Sequence, residues 1–377
     1  MSAVYNILHV IDKFSMDGVN PSSCAYLIRD WFKHADKSSF NIMTCGLKAR
    51  EPAADIYDRE GMRFFFLGNG KYSPGNITAL NALIKSEKIS LIHLHGYSSA
   101  NFGRISARQM GIPNVVHEHA VLKILPHQYL ADLVLRNKTD TAVAVSGAVK
   151  DFLHRGRHVA WQKIRIIWNG IDLDFFRKSD RVVVEKLKRE FSISEGETVL
   201  GMITRFREEK GNEYLLRAMP AVIEKLPRLK LLIAGEGPLR ENLQSLHREL
   251  GLGDRVDFVG FRRDIADFMS LVDIVVIPSL SEGFGLVLAE AMAVGKPVVA
   301  TRAGGMVEIA TDGKDAILVR PGDPKSIADG ILQLLEKPDL ADTLALNAFE
   351  GRDRFGIRSN VKKLEEMYFE MLEPAKS

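Results

Sequence analysis

Cysteine is nearly missing from this chain, with 2 in 377 residues, Cys24 and Cys45. That is too few for a disulfide framework, and the two stand too isolated for a metal site. Both read as packing residues in a reducing, cytoplasmic compartment. Long hydrophobic runs are missing too. No apolar stretch approaches the roughly 18–20 residues of a membrane span, and Met1 to Asp12 reads as a strand without the basic start and cleavage site of an export signal. Charge of one sign is likewise scarce: 51 Lys plus Arg against 48 Asp plus Glu leave a net +3. No nucleic-acid-binding motif accompanies it, so nucleic acid is excluded as a partner. Low-complexity segments and short-period repeats are absent.

What is present is a long alternation of apolar runs and amphipathic segments. At 377 residues, 46% hydrophobic and 26% charged, the chain exceeds what one core supports, which predicts two domains. The first series runs from Tyr5–Ile11 through Ala25–His34 and Phe40–Cys45 to Leu91–Leu94, Phe102–Met110, Asn114–Val116 and Thr141–Val145. A second restarts at Thr198–Ile203 and runs through Lys230–Ala234, Val256–Val259 and Ile274–Ile277 to Ile317–Val319. The fold class is therefore α/β, two doubly wound Rossmann-like domains, expected at residues 1–175 and 176–356. Their joint is expected in the polar stretch between about Asp172 and Thr198. The last helix, from about Ile357, follows the completed second series and is expected to cross back onto the first domain, carrying residues 357–377 with it. Ligands of such sheets bind beyond the carboxyl ends of the strands, so two facing sheets predict a cleft. The charge excess sits in the first half, with 21 cations against 15 carboxylates in residues 1–176. There Lys150, Arg155, Arg157, Lys163 and Arg165 cluster around Phe152, Leu153 and Trp161, a mix that suits either a solvated basic face or peripheral contact with an anionic membrane.

The densest chemistry lies in Ser281-Glu282-Gly283-Phe284-Gly285-Leu286-Val287-Leu288-Ala289-Glu290. Two carboxylates bracket a Gly-Phe-Gly turn between a buried strand and a helix. Free amides at a helix N-terminus, with the positive end of its dipole, attract phosphate, and glycine lets backbone approach closely. Glu282 then faces a sugar, and Glu290 accepts from ribose hydroxyls. A plain turn followed by a solvated helix carboxylate is the competing reading. Upstream, Arg205 leaves the end of a strand and Lys210 precedes Gly211 and the next helix, so both cations can reach one anion. A diphosphate leaving group needs such a pair, a planar fork of donors and a point charge.

Taken in order, His93-Leu94-His95-Gly96, Glu118-His119, Asn169-Gly170-Ile171-Asp172, Arg205 with Lys210-Gly211, Gly235-Glu236-Gly237-Pro238, Val259-Gly260-Phe261, Pro278 through Glu290, and Gly304-Gly305 with Glu308 resemble a retaining glycosyltransferase of the GT-B fold, glycosyltransferase family 4. The likeness spans nearly the whole chain and is more specific in its second half. It implies that Arg205 and Lys210 contact the donor diphosphate, that Glu282 meets hydroxyls of the transferred sugar, and that the Phe284 and Gly285 amides hold sugar and phosphate. Glu290 would bind ribose, and Val259 to Arg263, with Gly260 and Arg262, would meet the base. Gly18, Gly235, Gly283 and Leu286 complete the implied donor set, and His119 becomes the catalytic candidate of the first domain.

The resemblance further implies transfer of a hexosyl group from a nucleoside-diphosphate sugar, a UDP-sugar first and GDP-mannose next, to a hydroxyl of a glycan, lipid-linked saccharide or small molecule, in surface-polysaccharide or glycoconjugate synthesis. No metal or other cofactor is expected. A nucleotide-sugar epimerase of similar architecture and a non-catalytic binding subunit are the alternatives. Asp172-Leu173-Asp174 copies a metal motif but belongs to the Asn-Gly-Ile-Asp turn. His93 with His95, and His117 with His119, are alternate-residue pairs for which no third ligand is evident. Gly68-Asn69-Gly70 lacks the context of a dinucleotide loop and reads as a turn. Relatives carry paired glycines in the first loop, whereas Asp17 here precedes a single Gly18, adding bulk and negative charge.

Overall fold

The computed structural model describes residues 4–15 and 18–373; Asp17 lies outside them. They form two compact units, one comprising residues up to Gly170 together with Ile357 onward, the other Ile171–Gly356. The first carries a parallel sheet of β1 (Tyr5–Ile11), β2 (Phe40–Gly46), β3 (Phe64–Phe66), β4 (Leu91–His95), β5 (Asn114–Glu118), β6 (Thr141–Ala144) and β7 (Ile164–Ile166), in the order β3-β2-β1-β4-β5-β6-β7. The second carries β8 (Thr198–Arg205), β9 (Leu229–Glu236), β10 (Val256–Gly260), β11 (Ile274–Ile277), β12 (Val298–Thr301) and β13 (Ile317–Val319), in the order β10-β9-β8-β11-β12-β13. Central strands of parallel sheets are covered by helices on both faces, so they read as unbroken apolar runs. Ile274-Val275-Val276-Ile277 is such a run, and all four residues are buried.

Local signals set the helix ends. Asp323 accepts from the Ser326 amide and precedes Pro324 in the first turn of the helix Pro324–Glu336, a donor-free residue where no donor is needed. The helix Tyr97–Met110 begins five residues ahead of the expected Phe102. Its cap comes from a distant segment: Asp12 accepts from the amides of Ser98 at 3.2 Å and Ser99 at 2.7 Å. Three further elements of the first unit have no counterpart in the apolar pattern: the helices Pro126–Leu135 and Gly147–Arg155, and β7.

The passage between units also departs from the polar stretch. Ile171 already belongs to the second unit, because its amide donates to the Phe355 carbonyl at 2.8 Å and it bridges to Gly356. The stretch itself folds as the helix Arg181–Glu190, packed on the helix Ile265–Leu271. The final helix, Ile357–Leu372, buries Ile357, Val361, Leu364 and Tyr368, spaced for one helix face, in the first unit's core. There Trp31 Nε1 donates to Asn360 Oδ1 at 2.6 Å. Among the described residues no helix is long and apolar enough to cross a membrane.

Candidate functional site

In the second sheet β8 lies between β9 and β11. The chain leaving β8 turns to β9 on one side, while β11 and its helix lie on the other, so a crevice opens beyond the carboxyl ends of β8 and β11. Two loops border it. The amides of Leu280 and Ser281 donate to the Glu209 carbonyl at 2.9 and 3.2 Å, pinning the loop after β11 to the loop after β8. Gly211 permits this approach: at φ +61° a Cβ would lie 2.1 Å from the Pro278 carbonyl oxygen. The loop after β12 is drawn in as well. The Gly305 amide donates to the Glu282 carbonyl at 3.0 Å, and a Cβ on Gly304, at φ +51°, would lie 1.8 Å from that oxygen.

Lys210 and Glu282 meet within this scaffold, Nζ to Oε1 at 2.6 Å, both largely shielded from solvent. Ser279 Oγ donates to the same carboxylate oxygen at 2.8 Å. Arg205 ends β8 half-buried, and its carbonyl accepts from Asn212 Nδ2 at 3.0 Å. Gly283, Phe284 and Gly285 are buried, with the Phe284 ring edge-on to Phe355. Gly285, at φ +102°, begins the helix Leu286–Val294, whose N-terminus no side chain caps. Glu290 stands half-buried on that helix, and burial pushes its carboxyl up to about 7.

Gly235, near the end of β9, lies against the Thr204 carbonyl. Val259 falls in a register shift between β10 and β9 that precedes Gly260 at φ +75°. Arg262 does not join Lys210 and Glu282. Its guanidinium is clamped by Asp264, Nε to Oδ1 at 2.8 Å, and by Glu190 at 2.5 Å, and the Asp264 and Glu190 contacts raise its pKa.

Gly18 and His119 belong to the first unit. Gly18, at φ +83°, donates its amide to Ser15 Oγ at 2.6 Å. His119 ends a buried ladder of imidazoles built by the parallel register, in which His9 faces His93 and His95 faces His117. His9 Nδ1 lies 3.0 Å from His95 Nε2, His95 Nδ1 lies 3.0 Å from His119 Nε2, and His93 Nε2 lies 3.0 Å from His117 Nδ1. Tyr368 OH closes the far end, 2.5 Å from His93 Nδ1. Burial lowers His119 to about 4 and His9 to about 3, so the rings are neutral at neutral pH. Cys24 corrects the sequence reading. It is no isolated packing residue, since Sγ lies 3.8 Å from His119 Nε2, and Cys24, His95 and His119 bring three ligand-type atoms within 4.8 Å of one another. His9, His93 and His95 form a second group of this kind, so the third ligand-type side chain that the alternate histidine spacing does not disclose is supplied by β1 and by Cys24.

Sequence reasoning missed Ser279, the Glu209 carbonyl and Thr301, whose hydroxyl donates to the Ser279 carbonyl. Of these, only the Pro278-Ser279 pair lies within a recognised motif.

Two family models match the chain: glycosyltransferase family 4 over residues 39–175 and glycosyl transferases group 1 over residues 183–351. The D-inositol 3-phosphate glycosyltransferase of Corynebacterium kroppenstedtii is 31% identical over 75% of this chain and 68% of its own length. The N-acetyl-alpha-D-glucosaminyl L-malate synthase of Bacillus anthracis is 33% identical, but that match spans only 55% of the relative's length and 57% of this chain. The crystal structure of Anabaena HepE in complex with UDP and glucose shares the fold, with a TM-score of 0.85, 22% identity, and coverage of 97% of this chain and 99% of that one. The architecture is thus GT-B, and the chain belongs to glycosyltransferase family 4, the glycosyl transferases group 1.

Proposed function

We propose that this protein is a retaining glycosyltransferase that moves a hexosyl group from a nucleoside-diphosphate sugar, a UDP-sugar first and GDP-mannose next, to a hydroxyl acceptor. The observation that carries this reading is the Lys210–Glu282 pair at the β8/β11 crevice, beside an uncapped helix N-terminus. Lys210 holds Glu282 at 2.6 Å. A diphosphate entering between Arg205 and the helix N-terminus competes for Lys210 and releases Glu282 to accept from hydroxyls of the sugar. Glu290, ionised, accepts from the ribose. The bond from the anomeric carbon to the diphosphate oxygen breaks, and the acceptor oxygen bonds to the same face of that carbon. The acceptor proton passes to the departing diphosphate, whose growing charge Arg205, Lys210 and the helix dipole disperse. These cations take the place a metal would otherwise fill, so transfer proceeds in chelator. His119, neutral, would hydrogen-bond a hydroxyl rather than carry charge.

A cytoplasmic site of action and a product in surface-polysaccharide or glycoconjugate assembly complete the proposal. UDP and glucose in the HepE structure support UDP as the first donor to try. The test is turnover of UDP- and GDP-sugars with a panel of saccharide acceptors in chelator, with the anomeric configuration of the product read by NMR. A retained configuration is expected. Inversion defeats the mechanism, epimerised donor without transfer selects the epimerase, and absence of any nucleotide binding by folded protein selects a binding subunit.

A further inference from the structure

The helix Pro126–Leu135 leaves most of its apolar residues outside, with Leu135 alone of its leucines buried beside Asp132. Its inward face carries Asp132, which is buried and bonded to Arg104 at 3.0 Å and Arg157 at 2.8 Å, both guanidinia being buried as well. Its outward face carries Tyr129, Leu130, Leu133 and Val134, with Leu130 61% and Val134 74% exposed. A surface helix ordinarily does the reverse. The segment leading into it extends the apolar surface, with Leu122 51% and Leu125 45% exposed. Scattered exposed leucines are ordinary, but a contiguous apolar face marks a docking surface.

Charge identifies the occupant. In residues 121–138 the one carboxylate is Asp132, fully engaged with arginines in the interior. The charges left at the surface are Lys123 and Arg136, with Lys138 partly shielded, and none of the three has an ion pair among the described residues. The nearest following carboxylate, Asp140, accepts from the amide and the side chain of Asn114. An apolar face whose own segment exposes only cations complements an anionic bilayer surface, where leucine and tyrosine enter the interface and lysine and arginine remain at the headgroups. A second copy of the chain docking through the same face would set cations against cations.

We infer that the outward face of Pro126–Leu135, with the segment from Val121 leading into it, docks on anionic lipid. Of the basic cluster expected from the sequence the fold keeps part, with Lys150 over the exposed Trp161 ring and Arg157 over Phe152, and withdraws part. Arg157 and Leu153 are buried, Lys163 Nζ donates to the Thr139 carbonyl at 2.6 Å, and Arg165 pairs with Glu370 at 2.6 Å. The inference is independent of the donor site.

The test is co-sedimentation of the full chain with phosphatidylcholine vesicles, with and without phosphatidylglycerol, at low salt and at about 0.5 M salt. Binding is expected only with phosphatidylglycerol. The double substitution Leu130→Glu/Val134→Glu is expected to weaken it at least tenfold, and Lys123→Glu/Arg136→Glu to remove it. All four side chains are at the surface, so unchanged circular dichroism and melting confirm intact folds. Failure of the wild type to bind anionic vesicles overturns the proposal, as does undiminished binding by either variant. A concentration-dependent dimer lost in Leu130→Glu/Val134→Glu assigns the face to a second copy and overturns it as well.

Discussion

Glu290 is the residue whose environment has the most direct consequence. Its carboxyl sits at about 7 because burial disfavours the charged form. Between the ordinary carboxylate range and about 7 the folded chain holds a proton that the unfolded chain has lost, so this group's contribution to stability falls as pH rises through that window and is flat above it. Glu290→Gln is therefore expected to melt with wild type near pH 4 and to be more stable by about 3 kcal/mol at pH 8. Ligand binding has the opposite sense. Accepting from ribose requires the ionised carboxylate, so UDP affinity should weaken as pH falls through 7, by at most about tenfold per pH unit, and titrations of Glu290→Gln should lose that dependence. Gly304 carries a purely steric prediction. With a Cβ 1.8 Å from the Glu282 carbonyl at φ +51°, Gly304→Ala is expected to cost on the order of 2–4 kcal/mol in chemical denaturation, because backbone cannot yield as a side-chain tip can. Glu282 and Glu290 stand out as candidates in the sequence because they bracket one turn, and Lys210 because it precedes Gly211, but the meeting of Lys210 with Glu282 needs the fold. The hydrogen bonds that hold the site are not legible, because backbone carbonyls such as that of Glu209 leave no mark in a sequence.

At the scale of elements, the helix Pro126–Leu135 hangs from one carboxylate. Asp132→Ala leaves two guanidinia buried without their partner, an expected loss of about 3–5 kcal/mol, measurable by urea titration. The same helix shows where pattern reading ends. Most of its apolar residues lie outward and only Leu135 joins Asp132 in the interior, so its apolar run gives little sign of a buried face. β11 is legible for the contrary reason, since four buried aliphatics in sequence have one reading in a parallel sheet. The apolar pattern starts the helix Tyr97–Met110 too late because its cap, Asp12, follows the end of β1 and lies far away in sequence. The helix Arg181–Glu190 reads as linker because its one buried residue, Leu187, gives little periodicity.

Each unit of the whole molecule repeats one plan, a parallel sheet whose order reverses beside a central strand, with functional candidates at the carboxyl edge. The final helix completes the first unit: Leu364 is buried, Asn360 bonds Trp31, and Tyr368 meets the imidazole ladder. Leu364→Ala is expected to cost about 2–5 kcal/mol, seen as a lower midpoint in denaturant. The imidazole ladder shows what sequence can only half disclose. Alternate spacing puts His93 and His95 on one face, but His9 reaches them only through the register of β1 with β4, and Cys24 only through the packing of its helix. The central claim is that the crevice between β8 and β11 holds a nucleoside diphosphate. The most direct test is calorimetric titration of UDP, with GDP and ADP beside it, into wild type, Lys210→Ala and Glu290→Ala in buffer with chelator. Selective binding of one nucleotide, weakened at least tenfold in both variants, is the predicted result; equal binding by the variants, or none by folded wild type, would contradict it.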